Sequence, residues 1–228
     1  MTLKKDDAIN SIFSDFEDFA NLVLHQLDLL DTIISSGETE VSGEISEEIQ
    51  KNEKKLDKFE VKLSDKIVNT IVLYQPVASD IRKLIACYRI LISLERVGDL
   101  VTNILHFLEN IKIPEIYTNL SEVVSHMLIQ SSGMVNKALV AFTSDDKELA
   151  IWTIKNDEVV DEMNRKMLKK AIKKSKISDE NKHLLTSFIS MNSMVTNIER
   201  IGDHATNIAE AAIYSIDGKD VRHVKKIE

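Results

Sequence analysis

Residues 11–34 read SIFSDFEDFANLVLHQLDLLDTII, and within them Phe13, Phe16, Ala20, Val23, Leu27, Leu30 and Ile34 recur at alternating steps of three and four. That spacing places one apolar seam along a helix packed nearly parallel to its neighbours. Adding 104 to each position gives Tyr117, Leu120, Val124, Met127, Ser131, Met134 and Ala138, the same seam with one polar member. The offset also relates residues 95–104, ERVGDLVTNI, to residues 199–208, ERIGDHATNI, with seven identities. A repeat of this reach spans most of the chain and predicts two copies of one helical unit.

Helix-ending signals fall between the apolar runs. They are the Ser- and Gly-rich residues 35–43, Gln75-Pro76, the segment around Pro114, residues 143–146 and Ser178-Asp179. The chain therefore divides into six long helices, three per repeat, and no segment alternates apolar and polar residues long enough to read as a strand. The expected fold is all-α, two pseudo-symmetric antiparallel three-helix bundles. The first occupies residues 1–112 and the second residues 113–228, with a short C-terminal tail.

Composition narrows the function. With 228 residues, 43% of them hydrophobic, only two Pro and six Gly, the chain suits long helices and not disorder. A net charge of -8 argues against general nucleic-acid binding, which needs a basic field. The opening MTLKKDDAIN lacks the basic-then-apolar pattern of a secretory leader, and Arg82 and Arg89 interrupt the most apolar run short of about 18 residues. A cytoplasmic protein without a transmembrane segment is expected. Cys87, the only cysteine, sits among Ile85, Ala86 and Ile90 and reads as a packing residue.

Acidic residues obey the same repeat. Glu95 and Asp99 stand four apart and share one helix face, as do Glu199 and Asp203. On the preceding helix of each half, Glu53 and Asp57 in one copy match Asp157 and Asp161 in the other. If the helices of each hairpin pair near Asp57 and Asp99, four carboxylates meet. Two like charges about 6 Å apart repel by roughly 3 kcal/mol at an effective dielectric near 20, so protons or metal ions must neutralise them. All-oxygen carboxylate sites suit hard divalent ions or iron. Arg96 and Arg200 are placed to offset part of the charge, and Asn103 and Asn207 to orient carboxylates or meet a partner. Gly98 and Gly202 read as points of close helix approach. His204 follows Asp203 directly, projects about 100 degrees from it on a helix, and is not counted as a ligand.

The two ER(V/I)GD motifs, the string QPVASDIRKL at residues 75–84, NIAE at residues 207–210 and GKDVRHV at residues 218–224 together resemble the PhoU family, regulators of bacterial phosphate uptake and phosphate signalling. The resemblance covers essentially the whole chain. It implies a fold of two similar three-helix bundles and a surface on each that holds a multinuclear iron or zinc cluster. By motif, one cluster involves Glu53, Asp57, Glu95 and Asp99, and the other Asp157, Asp161, Glu199 and Asp203. It also implies a negative regulator of the phosphate-starvation response, an adaptor between the ATPase of the Pst phosphate ABC transporter and a two-component sensor kinase. A homodimer that reaches the membrane only through its partners is expected, or, alternatively, an accessory protein of another phosphate transporter. Leu100 stands where the second copy has His204, so the two sites need not be equivalent.

No nucleophile paired with a base, phosphate-cradling glycine loop or Walker signature is present, which argues against an enzyme. A di-iron oxidase needs two E-x-x-H motifs, and only residues 180–183 supply one. Arg165, Lys166, Lys169, Lys170, Lys173, Lys174 and Lys176 make the end of the fifth helix basic, and Trp152 reads as core.

Overall fold

The computed structural model describes residues 2–174, 182–222 and 224. Among these the chain is all helical: α1 (Thr2–Ser35), α2 (Gly43–Tyr74), α3 (Ala78–Glu109), α4 (Pro114–Thr118), α5 (Ser121–Thr143), α6 (Lys147–Lys174) and α7 (Lys182–Asp217). The six long helices are those read from the sequence, arranged as two antiparallel three-helix bundles. α4 is an addition. The apolar seam runs unbroken through residue 117, but the backbone does not. Pro114 opens a short helix that closes at Thr118, and α5 starts afresh at Ser121.

Helix boundaries follow local chemistry. α1 stops where Gly37 adopts φ +71, and α2 stops at Gln75, whose φ of +44 is the left-handed conformation. Pro76 disfavours right-handed helix at the preceding residue, so Gln75 leaves the helix while its N–H still returns to Ile71 O. The Ser178-Asp179 break lies outside the described residues. So do Lys176, Glu180, Asn181 and His223, and the side chains of Arg165, Lys166, Lys169, Lys170, Lys173 and Lys174.

α1, α2 and α3 pack mutually, as do α5, α6 and α7, but the most extensive contact joins α3 to α7 across the repeats. α1 also packs on α5. One continuous core results, and both seams lie in it: Phe16, Val23, Leu27, Leu30 and Ile34 from α1, with Tyr117, Val124, Met127 and Met134 from the second copy. Phe13 is only partly buried. Aromatic contacts join the halves, with Phe16 edge-on to Phe142 at 5.4 Å between ring centroids. The Tyr117 hydroxyl donates to Ile34 O at 3.0 Å and so closes the C-terminal end of α1. Cys87 is fully buried, and burial pushes its thiol up, away from reactivity. Trp152 departs from expectation. It is half-buried, with the Lys137 ammonium 3.2 Å from its ring centroid. The indole body rests on the core while its face takes a cation.

Candidate functional site

The first acidic face forms where α2 crosses α3 at Gly98. A Cβ on Gly98 would stand 2.8 Å from Leu56 Cδ1 and 3.0 Å from Glu53 Oε2, so the missing side chain is what lets the two helices close up. Glu53 is pressed inward by that approach. Both its oxygens are buried, and no group donates a hydrogen bond to either. Its carboxyl is raised from the ordinary 4.5 to about 8, by burial first and then by the carboxylates of Asp99, Asp57 and Glu95. Glu95 is raised by burial and by Asp99, against the opposing pull of Arg96.

Arg96 is exposed, with its guanidinium 2.8 Å from Asp99 and 3.4 Å from Glu95. It offsets the outer carboxylates and leaves Glu53, the inner one, uncompensated. Asp57 is exposed at the rim.

The second face repeats the first where α6 meets α7. Asp157 is raised from 3.8 to about 6 by burial, then by Asp203 and Asp161, with Thr206 opposing. Asp203 is raised by burial and by Asp161, with Arg200 opposing. Glu199 is raised by burial, then lowered by the amide of Asn164 and raised by Asp161 and Asp203. Gly202 is less crowded than Gly98, since a Cβ there would meet nothing nearer than Asp157 Oδ1 at 3.5 Å.

The structure thus brings together all four acids of each predicted set. Each set is a face of converging charge and not a finished coordination sphere. Among the described residues, no three His, Cys, Asp or Glu side chains are drawn into metal-holding geometry. Asn103 and Asn207 are exposed and bond no carboxylate, so they do not orient the acids. His204 is half-buried between the faces, and burial together with the charges of Arg96 and Arg200 lowers its pKa. Arginines beside both faces, Arg96 on α3 and Arg200 on α7, thus act on His204.

Sequence reasoning missed one position in each half. Glu60, one further helical step beyond Glu53 and Asp57, adds its charge to Glu95. Its counterpart 104 residues on is Asn164, which donates its amide to Glu199 Oε2 and leaves Oδ1 buried without a partner. The signal was available: 53, 57 and 60 share a helix face, as do 157, 161 and 164. The first face therefore holds a fifth carboxylate where the second holds an amide.

Comparison with known proteins places this arrangement. The PhoU domain model matches twice, over residues 16–108 and 124–212, so each match contains one acidic face. A phosphate-specific transport system accessory protein PhoU homolog of Pseudomonas putida is 29% identical over 189 residues, covering 81% of this chain and 71% of its own. PhoU homolog 1 of Thermotoga maritima is 25% identical over 223 residues, covering 97% and 89%. In fold, the crystal structure of PhoU from Pseudomonas aeruginosa matches with a TM-score of 0.80 at 23% identity, covering 94% of this chain and 99% of that one. The phosphate transport system regulatory protein PhoU from Streptococcus pneumoniae matches with a TM-score of 0.81 at 22% identity, covering 95% and 99%. With most of its length matched in two tandem copies, this chain belongs to the PhoU family.

Proposed function

We propose that this protein is a cytoplasmic accessory protein of phosphate transport. It represses the phosphate-starvation response as an adaptor between the ATPase of a Pst-type phosphate ABC transporter and a two-component sensor kinase. Family membership supports the role, and the relatives' names carry phosphate transport. No described helix is long and apolar enough to cross a membrane, which fits contact with the membrane through partners.

The observation that carries the mechanism is Glu53. With both oxygens buried and no donor to either, the Glu53 carboxyl holds its proton near neutral pH unless a cation takes the proton's place. Its chemistry fits a hard cation, which supplies the missing positive charge and joins Glu53, Asp57, Glu95 and Asp99. Asn164 Oδ1, likewise buried and unpartnered, fits the same role beside Asp157, Asp161, Glu199 and Asp203. Iron or zinc is the ion we infer, and its part is electrostatic. Neutralised faces lock α2 to α3 and α6 to α7, fixing the surfaces met by the partners and by a second copy in a homodimer. The role is regulatory and not enzymatic.

The test is a phosphate-starvation reporter in cells carrying the wild type or the Asp99→Asn, Asp203→Asn double variant. Repression and co-purification of the transporter ATPase or kinase are expected for the wild type and lost in the variant. A variant that loses its metal but keeps full repression and partner binding would sink the metal-dependent mechanism. A gene deletion that leaves the starvation response unchanged would sink the adaptor role.

A further inference from the structure

Where α7 ends, Gly218 turns the chain with φ +70, and the residues that follow lie against the N-terminal half of α3. The turn is built around Arg82: a Cβ on Gly218 would stand 3.3 Å from both Cδ and Nε of that side chain. Two turns along α3, Arg89 places its guanidinium 4.7 Å from the Tyr214 ring centroid and 3.5 Å from Asp220 Oδ2. Arg222 grips the same carboxylate with two donors, Nε to Oδ1 at 2.9 Å and Nη2 to Oδ2 at 2.6 Å. The result is unusual for a chain of net charge -8: two guanidinium groups hold one carboxylate, a third, Arg82, packs against the turn two residues before it, and Glu210 adds a second negative charge near Arg222.

Arg82 is the odd member of this group. Its Nε is buried and donates to nothing, and among the described residues Arg82 forms no ion pair, although Asp220 lies two residues from the glycine that packs on it. A buried donor without an acceptor carries a desolvation cost that an arriving acceptor removes. Neighbouring cations are already committed, Lys83 to Asp145 and Lys147 to Asp217, so Arg82 is the one left over among them. The repeat does not duplicate the cluster, because 104 residues beyond Arg82 and Arg89 stand Thr186 and Ser193. Among the described residues the cluster is not repeated, and it takes residues from both halves.

We propose that Arg82, Arg89 and Arg222 form a binding site for a tetrahedral oxyanion of the phosphate class, with Asp220 as the built-in carboxylate that the oxyanion displaces. Guanidinium forks match phosphate oxygens in pairs, and phosphate carries more than the single charge of Asp220. Donors approaching from a helix and from the tail suit three oxygens better than the two of a flat carboxylate. Because α3 and the tail belong to different repeats, occupancy couples the halves at the end of their shared contact. The site is independent of the acidic faces and stands whether or not they take a metal.

The test is titration calorimetry on the full chain, treated with chelator so that metal-bound phosphate contributes nothing, at constant ionic strength with chloride as control. Inorganic phosphate is expected to bind saturably with Kd of about 1 mM or tighter. Arg82→Gln weakens it by at least about tenfold, and Arg82→Lys, which keeps the charge but not the fork, weakens it less. Asp220→Asn tightens binding several-fold, since the internal competitor is gone. A merely structural clamp would instead lose thermal stability in that variant with no gain in affinity. Phenyl phosphate in parallel distinguishes sources: tighter binding than inorganic phosphate marks a phosphoryl group on a larger molecule, and weaker binding marks the free ion. No saturable binding above the chloride control, or equal affinity in a folded Arg82→Gln protein, would overturn the proposal.

Discussion

In chelator-treated protein, Glu53→Gln raises the free energy of unfolding at pH 8 by about 2 kcal/mol and changes it little at pH 5. The sign follows from where the proton sits. The folded carboxyl titrates near 8 and the unfolded one near 4.5, so between those values the folded protein holds a proton that the unfolded chain has released. Stability from this group is complete below about pH 4.5 and is lost as pH rises through 8. Glutamine has the shape of the protonated acid and nothing to lose. It also offers an amide donor to Asp99. The full shift would give more than 2 kcal/mol, but Glu53 is only partly enclosed and solvent screening reduces it. Urea unfolding at pH 5, 6.5 and 8 measures the effect. Parallel pH profiles for the wild type and the variant would contradict it. Asp157→Asn is expected to act in a lower window, with its loss complete by about pH 7, because Asp157 reaches only about 6.

Alanine at the two motif glycines is expected to act with opposite signs. In a helix interior Ala is favoured over Gly by about 1 kcal/mol, and that gain is common to both positions. At Gly202 nothing opposes it, since the nearest atom to the new Cβ is 3.5 Å away, so Gly202→Ala stabilises by up to about 1 kcal/mol. At Gly98 the Cβ arrives 2.8 Å from Leu56 Cδ1. Leu56 is fully buried, so moving its Cδ1 aside means repacking it against a closely packed core or parting α2 from α3. Overpacking of this kind costs about 1–3 kcal/mol, which outweighs the propensity gain and makes Gly98→Ala destabilising. Thermal or urea unfolding of both variants checks the pair. Equal stabilisation at both positions would show that Leu56 yields and that the close approach of α2 to α3 is not fixed by Gly98.

Periodicity was enough to read the six long helices, because a buried seam must recur with the helical repeat wherever it occurs. The 104-residue offset was enough to find the eight acids, because equivalent positions in a repeat occupy equivalent places. What the sequence did not disclose depended on distant packing. The seam passes through Tyr117 without a break, yet the backbone restarts at Ser121, and Tyr117 on the short α4 reaches across to Ile34 O. Glu60 and Asn164 were hidden because an acid and an amide at equivalent positions do not look like a repeat. Asn103 and Asn207 sat at the right spacing to touch carboxylates and do not, because helix rotation turns them to solvent. The contact of Arg82 with Gly218 is a tertiary one between two strings that periodicity cannot connect.

Whether the two carboxylate faces take cations, as proposed, is measured most directly by elemental mass spectrometry on tag-free protein beside the Asp99→Asn, Asp203→Asn double variant. Stoichiometric iron, zinc or manganese in the wild type, absent from the folded variant, is the predicted result. The contradicting result is a wild type that stays metal-free even after incubation with these ions and unfolds at the same temperature with and without them.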